Sequence, residues 1–520
     1  MAPLLSRLVQ LAPRFNDDSG VLHQPQSLNK SSFTLDSSGV AGFFGGDTAV
    51  SGMATVNLFK YRRWGGWYNT PGSYEIAKQY GQLANSRLWD GLFPGGTHDP
   101  SQLFGLDGKA GPDFLAARSG SSFTHTGHLA YLLTRKAGRM RGVRDDAGRT
   151  TTPASVTVVD LHHVPEERVE PPLRWSGSGL LAIIPIAASF TACVICALTW
   201  DWFCFASIAL GIIASGSACF VLGSGKLTFK HHNPAKGAPP GDGILKGGGG
   251  VVVLRGQEGA VNSVTRGRYF LRYQPPRPSK SPTRTVTRRK TLGRGSLDKG
   301  LPDGMELPTL QQTDANATSA SDVKPRLPPE SQPRNVFIGF AAILLTLQFL
   351  IQLLLIPQGQ LLGQILFVAT LAVSWAYNTF LSSIDREDIQ TTILVDDILK
   401  LEQDHIKKFE FGNWTAMSVF ACLALQPDAN DPLRKPRKLL DGLIPNDTEV
   451  WECWKAKMVQ KLSSNAPWTF TSADWELKEL DEEEQELLET LLKDAEVAYG
   501  VWSRWRAGRR SPTPATAVNA

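Results

Sequence analysis

Leu180-Leu-Ala-Ile-Ile-Pro-Ile-Ala-Ala-Ser-Phe-Thr-Ala-Cys-Val-Ile-Cys-Ala-Leu-Thr-Trp200 is followed at once by Asp201 and then by Trp202-Phe-Cys-Phe-Ala-Ser-Ile-Ala-Leu-Gly-Ile-Ile-Ala-Ser-Gly-Ser-Ala-Cys-Phe-Val-Leu222. Each run is long enough to cross a bilayer, which takes about 20 apolar residues. A second block repeats the layout, with Val336 to Ile356 and Leu361 to Leu381 parted by Pro357, Gln358, Gly359 and Gln360. Proline, glycine and polar side chains there favour a turn. The two blocks hold no Lys, Arg or Glu and a single acid, Asp201. The expected fold is therefore a mainly α membrane protein of four transmembrane helices arranged as two tight hairpins, 180–222 and 336–381. Trp175, Trp200 and Trp202 sit at the ends of the first pair, where indoles prefer the headgroup region.

Charge sets the expected orientation. Of 54 Lys and Arg in 520 residues, 18 precede residue 180, 19 lie in 223–335 and 17 follow residue 381, with none in either turn. Two hairpins put those three segments on one face, and the positive-inside preference makes it the cytosolic face. Arg174, Lys226, Lys230, Arg334 and Arg386 flank the spans and agree. An endoplasmic reticulum or other endomembrane location is expected ahead of the plasma membrane. Met1 to Phe15 carries Arg7 and Arg14 among leucines without a long apolar core, so a secretory signal peptide is not expected. Cys193, Cys196, Cys204 and Cys219 fall inside the spans and Cys422 and Cys453 in the tail, which implies no disulfide framework. The sequons at Asn316 and Asn446 would face the cytosol.

Outside the spans the chain divides by composition. Residues 1–150 are rich in glycine and aromatics and read as a loosely ordered cytosolic tail, because glycine raises the entropy cost of ordering; short helices are expected at Tyr74 to Trp89 and Gly127 to Ala137. A juxtamembrane linker, 151–179, follows. Residues 223–273 read as a small membrane-proximal module, with strands at Val251 to Arg255 and Arg268 to Tyr273 around a turn or helix near Ala260 to Thr265. Residues 274–335 are a basic linker of Pro, Ser and Thr that cannot bury a core. Residues 382–505 read as a helical cytosolic domain, with one helix over Ile384 to Phe409 and another from Asp474 to Trp502, and 506–520 as a disordered tail. The last helix carries an apolar stripe, Leu477, Leu480, Leu487, Leu488, Leu491, Ala495, Ala498 and Tyr499.

Motifs with chemistry are few. Gly223-Ser-Gly-Lys-Leu-Thr228 ends like a phosphate-binding loop but has Leu227 where Ser or Thr must follow the lysine and Phe220 where the first glycine belongs. His162, His163, Glu166, His231 and His232 lack a metal-ligand arrangement, and Cys193-x-x-Cys196 lies in an apolar helix as packing residues. No catalytic, cofactor-binding or metal set can be nominated, no cofactor is called for, and nucleic acid is not an expected partner. Ser207, Gly211, Ser215 and Cys219 recur every four residues on one face of the second span, a pattern that lets helices approach closely, within the chain or between copies. Gln348 and Gln352 share a face of the third span, with Gln364 of the fourth within expected reach.

Asp201-Trp-Phe-Cys-Phe205, the run from Gly241-Asp-Gly-Ile-Leu245 through Gly259-Ala-Val-Asn-Ser-Val-Thr-Arg-Gly-Arg268, and Leu439-Leu-Asp-Gly-Leu-Ile-Pro-Asn-Asp447 are similar to multi-spanning membrane proteins of filamentous and mushroom-forming fungi, over residues 180 to 500. That family has no assigned activity, so the resemblance implies a fungal membrane protein and transfers no functional residue. In layout the chain also resembles reticulon-type membrane-shaping proteins. The expected function is a non-enzymatic membrane-anchored scaffold or regulator with the lipid bilayer and cytosolic proteins, the latter through 382–505, as partners. A membrane-shaping hairpin protein is the alternative, and a transporter or an enzyme with an unrecognised site the third. Within the basic linker, Arg277, Lys280, Arg284, Arg288, Arg289, Lys290, Arg294 and Lys299 face one acid, Asp298. Two readings stand: a solvated spacer, or a clamp on anionic lipid at about 1 kcal/mol per basic residue, released by phosphorylation at Ser281 and Thr291. The central loop nets +11 and the tail from 382 nets −8, so the acidic last helix is a second destination for the linker.

Overall fold

The computed structural model describes residues 45–84, 91–93, 99–144, 148–175, 177–273, 336–426, 436–464 and 467–510. The basic linker with its eight cations, Ser281 and Thr291 lies outside the described residues. Along the chain the principal helices are α1 (Gly46–Met53), α2 (Ser73–Gly81), α3 (His128–Arg139), α4 (Gly179–Leu198), α5 (Trp202–Leu222), α6 (Glu258–Thr265), α7 (Val336–Gln358), α8 (Leu361–Ser382), α9 (Arg386–Thr392), α10 (Trp414–Ala424), α11 (Pro436–Leu443), α12 (Glu449–Ser463) and α13 (Glu482–Arg510). The strands are β1 (Asp113–Ala116), β2 (Ser122–Phe123), β3 (Val143–Arg144), β4 (Ala154–Leu161), β5 (Arg168–Val169), β6 (Lys226–Lys230), β7 (Gly243–Gly247), β8 (Gly250–Gly256), β9 (Arg268–Arg272) and β10 (Ile406–Phe411).

Helices α4, α5, α7 and α8 are each long and apolar enough to cross a membrane. Their outward faces are hydrocarbon, with Phe190, Val194 and Leu198 on α4, Phe337 and Leu354 on α7 and Ile365 on α8 exposed. The neighbour relations differ from two self-contained hairpins. α4 and α5 pack together, whereas α7 lies chiefly on α5 and α2, and α8 on α4 and α1. Asp201 ties the two turns: its carboxylate accepts from the Cys204 N–H at 3.1 Å, capping α5, and from the Gln360 N–H at 2.8 Å at the start of α8. A Cβ at Gly363 would fall 2.0 Å from that carboxylate.

The non-membrane part is one construction assembled from segments on both sides of each span pair. A seven-stranded sheet runs β2-β1-β7-β8-β4-β10-β3, with β4–β8 and β3–β10 parallel and the other pairs antiparallel. Its strands come from before α4, from between α5 and α7, and from after α8. Val156, Val158, Val251 and Val253 face the layer of α10 to α13, while Val159, Leu161, Val252 and Leu254 face the core shared with α3 and α6. Burial on both faces explains why β4 and β8 read as nearly continuous valine runs. A second sheet, β5-β6-β9, continues directly from α5.

Several expectations are corrected. Residues 45–84 and 99–144 are not a loose tail; they form helices and strands with Tyr68, Tyr80 and Phe104 buried. Their glycines are contact points: Gly72 has φ +68°, and a Cβ there would sit 2.5 Å from Gly46 Cα, where the starts of α1 and α2 meet. Residues 223–273 are not a small separate module, since β7 and β8 enter the large sheet and β6 and β9 the small one. The segment 382–505 is not all helical: the helix from Arg386 ends at Thr392, a π-helical turn spans Ile393–Ile398, Lys400 takes φ +49°, and Ile406–Phe411 is a central strand. The helix expected from Asp474 starts at Glu482, because Thr471 and Asp474 instead form a capping box on a single turn, Ser472–Asp474.

Just past the spans, α3 is fastened to α9 by charge. Arg135 and Arg139 bind Asp385, Arg139 also binds Asp388, and Lys109 and Arg135 reach Glu387. Desolvation works against the Asp385 carboxylate, but hydrogen bonds from Arg135 and Arg139 outweigh it and hold its pKa down at about 2. A carboxyl depressed in the folded state contributes stability above its unfolded pKa of about 3.9 and loses it as pH falls toward the folded value. We expect hydrogen-exchange protection of α9 to stay level from pH 7 to about 4 and to fall between pH 4 and 2. Asp385→Asn should flatten that step, and an unchanged profile in the variant would assign the step to another group.

Candidate functional site

The sequence from Arg62 to Gly72, Arg-Arg-Trp-Gly-Gly-Trp-Tyr-Asn-Thr-Pro-Gly, is irregular after a single 3₁₀ turn and, past the exposed Arg63 and Trp64, lies within the four-helix bundle. Asn69 sits against the middle of the bundle. Its backbone N–H donates to Ser189 Oγ of α4 at 3.0 Å, and its Nδ2 donates to Thr370 Oγ1 of α8 at 3.1 Å. Gln352 Nε2 of α7 donates to Asn69 Oδ1 at 3.0 Å and to the Ser207 carbonyl of α5 at 3.3 Å. Ser189 and Thr370 are near the midpoints of their helices, as is Gly211 of α5, where a Cβ would fall 2.1 Å from Asn69 Oδ1. One asparagine thus touches all four apolar helices.

The neighbouring residues extend the network. Gln348 Nε2 donates to the Thr70 carbonyl at 3.3 Å, Asn378 Nδ2 donates to Thr70 Oγ1 at 3.2 Å, and Tyr68 OH donates to Asn378 Oδ1 at 2.7 Å. Asn69 and Thr70 therefore stand between α7 and α8, which is why those helices do not close on each other as a tight pair. Nearer the end of α5, the buried Arg62 donates through Nη1 to Cys219 Sγ at 3.4 Å and lies 5.6 Å from the Tyr377 ring centre. Non-helical backbone at membrane depth is tolerated only where protein covers it and supplies partners, and here side chains from α4, α5, α7 and α8 do so.

The small-residue face of α5 is shared between this segment and α7. Gly211 adjoins Asn69, Ser215 and Cys219 adjoin Gly66, and Ser207 presents its carbonyl to Gln352. Gly216 meets the Trp67 ring, with a would-be Cβ only 2.2 Å away. Gln348 and Gln352 share this network, but Gln364 does not join them; its Nε2 donates to the Ile356 and Gly359 carbonyls and braces the second turn. His231 Nε2 pairs with the Pro165 carbonyl at 3.0 Å, and the His162 ring packs edge-on against that of His405. Among the described residues no three His, Cys, Asp or Glu come together as a metal site.

Residues 62–72 escaped the reading of the sequence because two arginines open the segment and glycines punctuate it. The available signal was Trp64 to Tyr74, eleven residues without a charge, containing two tryptophans and two tyrosines.

A second concave feature lies in the sheet. A cavity of about 640 Å³ opens beyond the C-terminal ends of the parallel pair β4 and β8, lined among others by Asp160, Arg255, Asp242, Arg118 and Pro234. That is the position where open sheets with parallel strands receive ligands. No family model, curated protein or solved structure matches this chain.

Asn69 and Gly211 act on one contact, so their losses should overlap. We expect Asn69→Leu to lower stability in detergent by about 1–3 kcal/mol, the cost of stranding buried polar partners. Gly211→Val should cost a similar amount by evicting Asn69, and the double variant should be no worse than the poorer single one. Strictly additive losses in equilibrium unfolding would show that the two residues do not share the contact.

Proposed function

We propose that the chain is a non-enzymatic, multi-pass membrane-anchored scaffold or regulatory protein whose soluble sheet stands on the cytosolic face. The observation that carries this reading is the seven-stranded sheet, which joins strands from before α4, between α5 and α7 and after α8. Strands that hydrogen-bond to one another lie on one side of a bilayer, and the basic residues concentrate in those same segments, which the positive-inside preference assigns to the cytosol. Helices of 20–23 residues extend roughly 30–35 Å, a full crossing. That length favours an anchor over a hairpin wedged into one leaflet. The rigid joint between sheet and bundle suits a protein that holds partners at a defined position on the membrane, and the exposed acidic start of α13, Glu482 and Glu483, offers them a charged surface. The fungal membrane-protein resemblance fits the same reading.

The test is accessibility of epitope tags in sealed microsomes. Tags in 274–332 and at the C-terminus should both be digested by added protease, whereas protection of either one overturns the topology. Partner capture calls for surface variants such as Glu482→Lys with Glu483→Lys. Removal of 382–520 would extract β10 from between β4 and β3, and we expect that truncation to be degraded rather than merely deprived of partners.

A further inference from the structure

Where the chain enters the bundle it leaves two cations and several aromatic rings outside. Lys60, Tyr61, Arg63 and Trp64 are exposed, although Arg62 among them is 1 % exposed. Contacts with the helix ends set their depth. Trp64 packs on Phe220 in the last turn of α5, with ring centres 4.9 Å apart. A Cβ at Gly223, just past α5, would fall 2.5 Å from Arg63 Cβ, and one at Gly65 would fall 3.0 Å from Ala182 Cβ in the first turn of α4. The Lys60 N–H donates to the Arg174 carbonyl at 2.9 Å, which brings the neighbouring Trp175 to the same rim. Tyr61, Trp64 and Trp175 are 61, 50 and 72 % exposed. Aromatic surface of that extent is unfavourable in water but suits the headgroup level, where the hydrocarbon of α4 and α5 ends.

The two cations lack carboxylates. Arg174 on the same rim is neutralised by Asp396 and Asp397 at 3.1 and 3.3 Å, and Lys226 reaches Glu170 at 3.6 Å. Arg62 turns inward to Cys219. Lys60 and Arg63 form no ion pair among the described residues, and ring faces hold them instead. Lys60 Nζ lies 5.1 Å from the Tyr61 ring centre, and the Arg63 guanidinium lies 5.5 Å from that of Trp64 and 5.6 Å from that of Phe220. A cation resting on a ring is held in place while its N–H groups remain free to donate. At headgroup depth those donors meet phosphate oxygens, which the arginine fork can bind at two points. Tyr61 also takes φ +66°, a strained conformation for an aromatic residue, and such strain gathers at binding sites.

We propose that Lys60 and Arg63, with Tyr61, Trp64 and Trp175, form a docking site for the headgroup of an anionic phospholipid whose acyl chains lie beside Leu180 and Phe220. The occupant is a membrane lipid because a soluble phosphate would satisfy the cations and leave the rings and the hydrocarbon flank uncovered. A bound headgroup ties the entry of the 62–72 segment to the start of α4. The far turn of this span pair carries the exposed Trp200 and Trp202 without any Lys or Arg, so the site belongs to one leaflet. The assignment rests on the multi-pass anchoring proposed above and not on the scaffold role.

The full chain is reconstituted in nanodiscs of phosphatidylcholine alone or with added phosphatidylserine, and backbone hydrogen exchange is followed in 58–65, a readout local to the site. We expect phosphatidylserine to slow that exchange about tenfold, as two basic residues on an anionic leaflet allow. Lys60→Gln with Arg63→Gln should abolish the slowing; both side chains are exposed, so the fold is retained. Arg288→Gln with Arg289→Gln, in the basic linker, should leave it unchanged, and soluble glycerophosphoserine added to neutral nanodiscs should not reproduce it. A chain that cannot be reconstituted overturns the anchoring and this site together. A reconstituted chain with no slowing, with slowing that persists in the Lys60 and Arg63 pair or is lost in the linker pair, or with slowing by the soluble headgroup, overturns the site alone.

Discussion

Everything in the bundle depends on the rule that a peptide group removed from water must find a partner. Residues 62–72 enter a four-helix bundle as irregular chain, and their polar groups are met by Ser189, Gln348, Gln352, Thr370 and Asn378. The small face of α5 exists to admit that chain. Gly211 and Gly216 leave room for Asn69 and Trp67 that any side chain would fill. In return, one asparagine links helices that lack a hydrophobic driving force between them in lipid. The bundle is thereby specified by polar geometry, while its outward faces remain plain hydrocarbon.

The same logic joins membrane and sheet. Segment 58–60 leaves the bundle and pairs with Arg174, whose backbone N–H donates to the Leu58 carbonyl at 3.1 Å while its own carbonyl accepts from Lys60 at 2.9 Å. The Arg174 guanidinium reaches the Thr392 carbonyl and the carboxylates of Asp396 and Asp397. Those acids lie in the π-helical turn Ile393–Ile398, a geometry that is uncommon and concentrates where a chain is held out of regular register. One arginine therefore connects the entry to α4, the exit from α8 and the embedded segment. With the Arg135–Asp385 group it makes the bundle and the sheet a single mechanical unit.

How much of this was legible follows from what each element's pattern reports. The four spans were readable almost to the residue because hydrocarbon length and charge exclusion are local properties. The β8-α6-β9 sequence was readable too, since Val251 to Leu254 and the polar breaks around it mark period and ends. The sheet that contains β8 was not, because β4 pairs with β8 across two spans and with β10 across all four, and nothing local in Val156 or Phe409 names its neighbour. Glycine misled most. In residues 45–84 it signals entropy cost when the chain is considered alone, yet Gly46, Gly66 and Gly72 are places where backbones meet. Gln364 misled in the opposite sense: a glutamine in an apolar helix suggested an interhelical bond, but the nearest orphan carbonyls were those of its own turn.

The cavity shows why chemistry-bearing residues can be invisible in sequence. Arg118, Asp160, Asp242, Arg255 and Arg509 come from five places in the chain, and none belongs to a spaced motif. Each is ordinary alone: an arginine after a strand, an aspartate at a strand end, a basic last turn on a helix, which the helix dipole itself favours. They are brought near one another because β4 and β8 run parallel and end together, and because the last turn of α13 reaches Asp160. The parallel pairing in turn requires a crossover, and here that crossover contains the whole first pair of spans. The strand ends that form the cavity are therefore brought together by the same excursion through the membrane that anchors the chain.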